Sequence, residues 1–215
     1  MQISIREPGS ALTHLAAMFL SVGASLPLIL KASDFGSIYV IAMLVFAVSM
    51  IMLYGASAFY HAVNSTPAVI CVLRKLDHSM IFVLIAGSYT PVCVLALSSE
   101  IGIPLLIAVW SFAIIGIVLK VFWINCPRWF SSLIYIALGW SVVLVMRPIY
   151  NNLSHLGFMW LLIGGIIYTV GGVVYALKLS RFNEKHPYFG SHEVFHLFVM
   201  GGSFCHFIFM YQFLL

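Results

Sequence analysis

The sequence contains very little charge. Only 7% of its 215 residues are Asp, Glu, Lys or Arg, whereas 63% are hydrophobic. A soluble domain is about one quarter charged, so this chain cannot cover a water-exposed surface. The low charge and the mean hydropathy of +1.10 exclude an ordinary soluble domain and a disordered chain. They predict that lipid contacts most of the surface.

The sequence also lacks a cluster of bases and a pair of closely spaced cysteines. Its formal net charge is only +4, and the bases are scattered between apolar stretches, so no nucleic-acid binding is expected. The four cysteines lie far apart and none forms a CxxC pair, which disfavours a disulfide framework or a thiolate metal site. We expect them to be small, unpaired side chains in helices.

The chain has instead a series of apolar segments of about 20 residues, the length that a transmembrane helix requires. The first is longer than the roughly 7–15 residues of a signal-peptide core, so it should persist as a span. The predicted spans are residues 9–30, 38–61, 76–97, 101–122, 130–148, 156–179 and 192–214. The sequence therefore predicts an all-α, polytopic membrane protein, with one seven-helix domain over residues 1–215.

The basic residues predict the orientation of the bundle. With seven spans, eight of the ten Lys and Arg residues fall on the side of the N-terminus, and only Lys31 and Arg147 fall on the other. The positive-inside rule then predicts a cytoplasmic N-terminus and a C-terminus on the opposite side. The asymmetry also supports an odd number of spans.

A few polar and ionisable residues interrupt the apolar segments, where they are costly and usually functional. They occur in SAFYH at 57–61, in RKLDHS at 74–79 and in SHEVFH at 191–196. In the predicted orientation these three stretches all lie in the cytoplasmic layer. The sequence therefore predicts one shared site, formed by Ser57, His61, Asp77, His192 and His196.

The histidines in this site favour metal binding. His192 and His196 are four residues apart and share a helix face, and His61 would approach from the second span. Three imidazoles leave a fourth tetrahedral position for water, as in catalytic zinc sites, and copper, iron or nickel would also accept such ligands. Asp77 and Ser57 would hold the water or orient a ligand. A proton relay or a set of structural hydrogen bonds is the alternative.

The seventh span also satisfies the HExxH pattern of zinc proteases, in which the glutamate is the general base. An intramembrane protease is therefore another alternative, although the setting of Asp77 does not resemble the aspartate motif of such enzymes. Glu193 is a secondary candidate for the base, after Asp77. Three further histidines within the spans are expected to be packed, hydrogen-bonded residues: His14, His78 and His206.

In these segments the chain resembles the hemolysin III family, the bacterial branch of the progestin and adipoQ receptor superfamily. The resemblance covers essentially the whole chain. Three blocks carry it: SAFYH at 57–61, LRKLDHSMIFVLIAGSYTPV at 73–92 and SHEVFHLFVMGGSFCHF at 191–207. The N-terminal block from Glu7 to His14 fits less well, because Ser10 stands where the family often has Asn, and no role is assigned to it.

The resemblance implies a seven-helix bundle with a cytoplasmic N-terminus, in a bacterial inner membrane. It also implies Zn²⁺ held by His61, His192 and His196, with Asp77 and Ser57 in the shell of the water. The eukaryotic relatives are receptors whose similarity to alkaline ceramidases suggests hydrolysis of lipid amides. The family name instead suggests a pore.

The favoured function is a zinc-dependent membrane hydrolase that cleaves a lipid amide or ester, with Asp77, or failing it Glu193, moving the proton. Membrane lipids and a lipid-like substrate are the expected partners. The first alternative is a receptor or regulator of membrane lipid state with structural zinc, although structural sites are usually closed by four protein ligands. The second is a pore. The apolar outer halves of the spans disfavour a monomeric pore, and a pore formed by an oligomer stays open.

Overall fold

A computed structural model describes residues 5–186 and 189–215, which in these ranges form helices and short connections. Seven helices in the described ranges are long and apolar enough to cross a membrane. They are α1 Pro8–Ser33, α2 Ser37–Ala62, α3 Pro67–Ala96, α4 Ser99–Phe122, α5 Arg128–Asn152, α6 His155–Leu177 and α7 Ser191–Leu214. A short connecting helix, Ser180–Lys185, lies between α6 and α7. The predicted all-α, seven-helix membrane fold is confirmed, and its orientation stays a prediction.

The largest departure from the predicted boundaries is the start of α3. The apolar pattern placed it at residue 76, but the helix begins at Pro67. Thr66 is the N-cap, and its hydroxyl accepts from the Val69 N–H at 3.5 Å. Proline is favoured directly after a cap, because it lacks the N–H that would be unpaired there. Asp77 therefore lies about 15 Å along α3 from its first residue rather than in its first turn.

The middle of α5 is not α-helical. A 3-10 segment, Trp140–Val145, interrupts it and frees backbone groups from the usual helical pattern. Tyr89 of α3 satisfies two of them, because its hydroxyl donates to the Gly139 carbonyl and accepts from the Val142 N–H, each at 2.7 Å. This contact holds α3 against α5.

The helices pack as a ring in which sequence neighbours are in contact and α1 also packs against α7. The most buried span is α3: 67% of its most apolar window is buried, against 17% for α6. Many large side chains on the outside are exposed, as expected for groups that face lipid. Examples are Phe19, Leu20, Leu26, Ile107 and Ile115. Because α1 packs against both α2 and α7, it connects the end of α2, which carries His61, to the start of α7, which carries His192 and His196.

The four cysteines are unpaired, as predicted. One of them, Cys126, lies in the loop between α4 and α5 rather than in a helix. Its sulfur accepts from the buried Lys120 ammonium at 3.1 Å, and the Ser131 hydroxyl accepts from the same group. A buried lysine thus ties this loop to both helices.

Candidate metal centre

Three histidines from two helices converge at one end of the bundle. His61 is in the last turn of α2, and His192 and His196 are in the first two turns of α7. One ring nitrogen from each lies within 4.8 Å of the other two. His61 and His196 are buried and His192 is half-buried. The structure therefore brings together the three candidate ligands that the sequence indicated.

The distance between two of these histidines fits a shared metal ion. Two nitrogens that each bind a tetrahedral zinc at about 2.0–2.1 Å lie about 3.3–3.4 Å from each other. The Nε2 atoms of His61 and His192 are 3.2 Å apart. Neutral imidazoles bind zinc, copper, iron and nickel, so the cluster could hold an ion of this group.

Hydrogen bonds at the Nδ1 atoms of His61 and His196 leave an Nε2 lone pair on each ring that could bind a cation. The Glu7 carboxylate accepts from Nδ1 of His61. The Thr13 hydroxyl donates to a carbonyl in the preceding turn of α1, and it therefore accepts from Nδ1 of His196 at 3.1 Å. With the proton on Nδ1, each ring keeps the lone pair on Nε2 that a metal requires.

Glu7 directly precedes α1 and lies outside the spanning segments. The hydrogen bond from His61, which is the largest cause, and the neighbouring Arg6 guanidinium lower the pKa of its carboxyl to about 2. Glu7 is therefore ionised at neutral pH. A carboxylate on the far nitrogen of a ligand histidine fixes the ring and raises its basicity.

The N-terminal block, to which the sequence reasoning assigned no role, lies against the metal centre. The Glu7 N–H donates to the His61 carbonyl at 3.0 Å, and the Ser10 hydroxyl donates to the Glu193 carboxylate. Glu7, Ser10 and His14 are three and four residues apart and share one face of α1. That periodicity of polar residues is the signal that could have identified this block.

His14 is packed, as expected, but it is not hydrogen-bonded. Its ring is 3% exposed and stacks on His196, with ring centroids 3.5 Å apart and an interplanar angle of 10°. Neither ring nitrogen has a hydrogen-bond partner among the described residues. The contact holds the His196 ring between α1 and the centre of the cluster.

The two other predicted site residues, Asp77 and Ser57, lie beside each other on the wall of the same cavity as His192 and His196. The Nδ1 atom of His78 is 3.2 Å from the Asp77 carboxylate. Asp77 therefore lines the same cavity as two of the clustered histidines.

Glu193 has a different environment. One of its carboxylate oxygens accepts from the Gly190 N–H at 2.8 Å and caps the start of α7, and the other accepts from the Ser10 hydroxyl. Both oxygens thus hold the N-terminal end of α7 against α1. Glu193 does not line the cavity that Asp77 lines.

An apolar cavity of about 160 Å³ extends from the metal centre between α3, α5, α6 and α7. At one end it is lined by the site residues Ser57, Asp77, His192 and His196. Apolar side chains line most of the rest, among them Leu84, Ile85, Met146, Phe158 and Leu162. A largely apolar pocket with a few convergent polar groups is typical of a ligand site.

Comparison with known proteins identifies the family. The sequence model described as "Haemolysin-III related" matches residues 3–207. The chain belongs to the haemolysin-III family. It is 37% identical over 198 residues to the Hemolysin-3 homolog of Bacillus subtilis (strain 168), a match that covers 92% of this chain and 89% of that protein. It is 39% identical over 198 residues to Hemolysin-3 of Bacillus cereus, with 92% and 86% covered.

A more distant relative is the adiponectin receptor protein of Drosophila melanogaster. It is 25% identical over an alignment of 226 positions, gaps included, which spans 94% of this chain and 49% of that receptor. The resemblance read from the three sequence blocks is therefore confirmed, and this match agrees with the wider superfamily. The seven apolar helices and the two bacterial haemolysin-III relatives indicate a multi-pass protein of a bacterial cell membrane.

Proposed function

We propose that this haemolysin-III family member is a zinc-dependent membrane hydrolase that cleaves an amide or ester bond of a lipid. The observation that carries the proposal is the junction of a three-imidazole cluster with an apolar cavity. Structural zinc sites usually have four protein ligands, whereas three histidines and an adjoining cavity leave room for water and substrate. The same junction supports a lipid rather than a peptide as the substrate.

His61, His192 and His196 would hold the zinc, and Glu7 and Thr13 would orient two of these rings through Nδ1. Zinc, when bound, supplies a Lewis acid that lowers the pKa of water and polarises a carbonyl. The apolar cavity would bind the acyl chain, exclude bulk water and position the carbonyl carbon.

Asp77 would move the proton. Its carboxylate would take a proton from the attacking water and deliver it to the nitrogen or oxygen of the leaving group. Ser57 and His78 lie beside this carboxylate and would hold it in place. The carboxylate is thereby restored for the next turnover.

The proposal is tested by the metal content of the purified protein and by release of fatty acid from an N-acyl sphingosine and from a lysophospholipid ester. We expect zinc in the wild type and its loss in His61→Ala and His192→Ala. Asp77→Asn should keep its zinc and lose hydrolysis by about 10²–10⁴-fold. His155→Ala, an exposed histidine at the start of α6, is the matched control.

Two results would contradict the proposal. Equal zinc in the wild type, His61→Ala and His192→Ala would show that the cluster is not a metal site. Normal metal content without release of fatty acid from either substrate would leave a metal centre with no hydrolytic role.

A further inference from the structure

Three arginines and two tyrosines lie around the end of the bundle that holds the metal centre. The Arg128 guanidinium is 5.3 Å from the ring centroid of Tyr175, and the Arg6 guanidinium is 4.4 Å from that of Tyr60. Arg74 lies three residues before Asp77 in α3, at the same end of the cavity. We call these five residues the arginine rim.

The arginine rim adjoins the metal-centre end of the cavity. Tyr175 lines the cavity, and its ring centroid is 6.0 Å from that of His192. Tyr60 precedes His61 in α2, and the two ring centroids are 4.7 Å apart. The metal centre therefore lies between the positive rim and the apolar part of the cavity.

Among the described residues, one carboxylate neutralises part of this positive charge. Within residues 5–186 and 189–215, Glu7 is the one carboxylate within 4 Å of an arginine, at 3.2 Å from Arg6, and it also binds His61. Arg74 donates to the neutral Asn125 side chain at 3.2 Å. The rim thus has a net positive charge beside an apolar space.

Arg6 also has side-chain donors without an acceptor in the described part of the chain. Its Nε and Nη1 atoms are buried and make no hydrogen bond to any described residue. Burying donors in this way is unfavourable, and the oxygens of an anion would satisfy them. Guanidinium groups bind phosphate with two parallel hydrogen bonds, which suits a group with three acceptor oxygens.

We propose that the arginine rim binds the phosphate headgroup of a lipid whose acyl chain occupies the cavity. This inference rests on the proposed function, because it names the class of substrate for the same site: an acylated phospholipid rather than a neutral lipid. Since the metal centre lies between the rim and the apolar cavity, the bond presented to it is the one that joins the headgroup portion to the chain.

The test is the binding of oleoyl lysophosphatidate, measured as a shift of the thermal unfolding temperature in a neutral maltoside detergent. Monoolein has the same chain and glycerol but no phosphate, and it should bind about tenfold more weakly or worse. Arg74→Gln and Arg128→Gln should each weaken lysophosphatidate binding about tenfold. Arg181→Gln, which removes an exposed base from the connecting helix, should leave it unchanged.

Gly165→Phe tests the chain-binding part separately. Gly165 lines the cavity, and a Cβ at this position has no heavy atom within 4 Å. The phenyl ring should fill the cavity and weaken lysophosphatidate binding about tenfold. Gly23→Phe, at an exposed position of α1 where a Cβ also meets nothing, is the matched control.

Several results would overturn the inference. Equal binding of monoolein would show that the phosphate is not recognised, and an equal loss in Arg181→Gln would reduce the rim to general surface charge. Inorganic phosphate that binds as tightly as lysophosphatidate would identify a free anion, and undiminished binding in Gly165→Phe would place the chain elsewhere. Unchanged zinc in the arginine variants verifies their folding. If His61→Ala still binds lysophosphatidate, the rim works without the metal-dependent function. The two proposals can therefore fail separately.

Discussion

The contact between Glu7 and His61 gives a sharp test of the metal centre. Glu7→Gln keeps the size of the side chain. It replaces the charged carboxylate that accepts from Nδ1 of His61 with a neutral amide. Loss of such an outer partner typically lowers metal affinity about 10–100-fold. Because the three ligand rings stay in place, the metal should still bind, but more weakly.

The expected loss lies at the lower end of that range. The Glu7 side chain is 48% exposed, so water can replace part of its hydrogen bond and also screens its charge. The glutamine carbonyl can still accept from the same Nδ1 atom. We therefore expect zinc affinity to fall about tenfold, which corresponds to about 1.4 kcal/mol.

The assay is competition for zinc against a chelator of known affinity at about pH 7.5, since metal affinity depends on pH. At this pH the Glu7 carboxyl, with a pKa of about 2, is ionised. Glu100→Gln removes the same charge from the first turn of α4, at the opposite end of the bundle, and is the matched control. Unchanged affinity in Glu7→Gln would refute the role of Glu7, and an equal loss in both variants would show a general effect of charge.

Two further predictions use other contacts. Thr13→Val removes the oxygen that accepts from Nδ1 of His196, so zinc affinity should fall about tenfold in the same competition assay, and an unchanged value would exclude this role. In Gly164→Ala, the new Cβ would lie 2.4 Å from the His206 ring, which should lower the free energy of unfolding by about 1–3 kcal/mol. Gly165→Ala has open space instead, and equal stability of the two variants in thermal unfolding would contradict this packing.

The apolar segments predicted the seven helices well, because a spanning helix needs a continuous apolar length and little else. The start of α3 was missed for the same reason. The segment after Pro67 contains Arg74 and Lys75, whose charges end the apolar run although the helix continues. The Thr66-Pro67 pair is a local start signal that hydropathy does not register.

The histidine cluster was predictable from the sequence because two independent patterns placed the same residues together. These patterns were the predicted depth in the membrane and the spacing along a helix. The outer partners Glu7 and Thr13 were not. Their contacts join residues that are 54 and 183 positions apart, and they depend on how α1 packs against α2 and α7. A single sequence carries no signal for such a pairing beyond the shared face of α1.

The docking of the first residues onto α2 has a practical consequence for preparing the protein. The Arg6 and Glu7 N–H groups donate to the last carbonyls of α2, at 3.4 and 3.0 Å, so a segment introduced directly before them would begin near the histidine cluster. A polyhistidine purification tag placed there would offer competing imidazoles to the same ion. A removable tag at the carboxyl end, where α7 finishes away from the cluster, keeps metal titrations free of that interference.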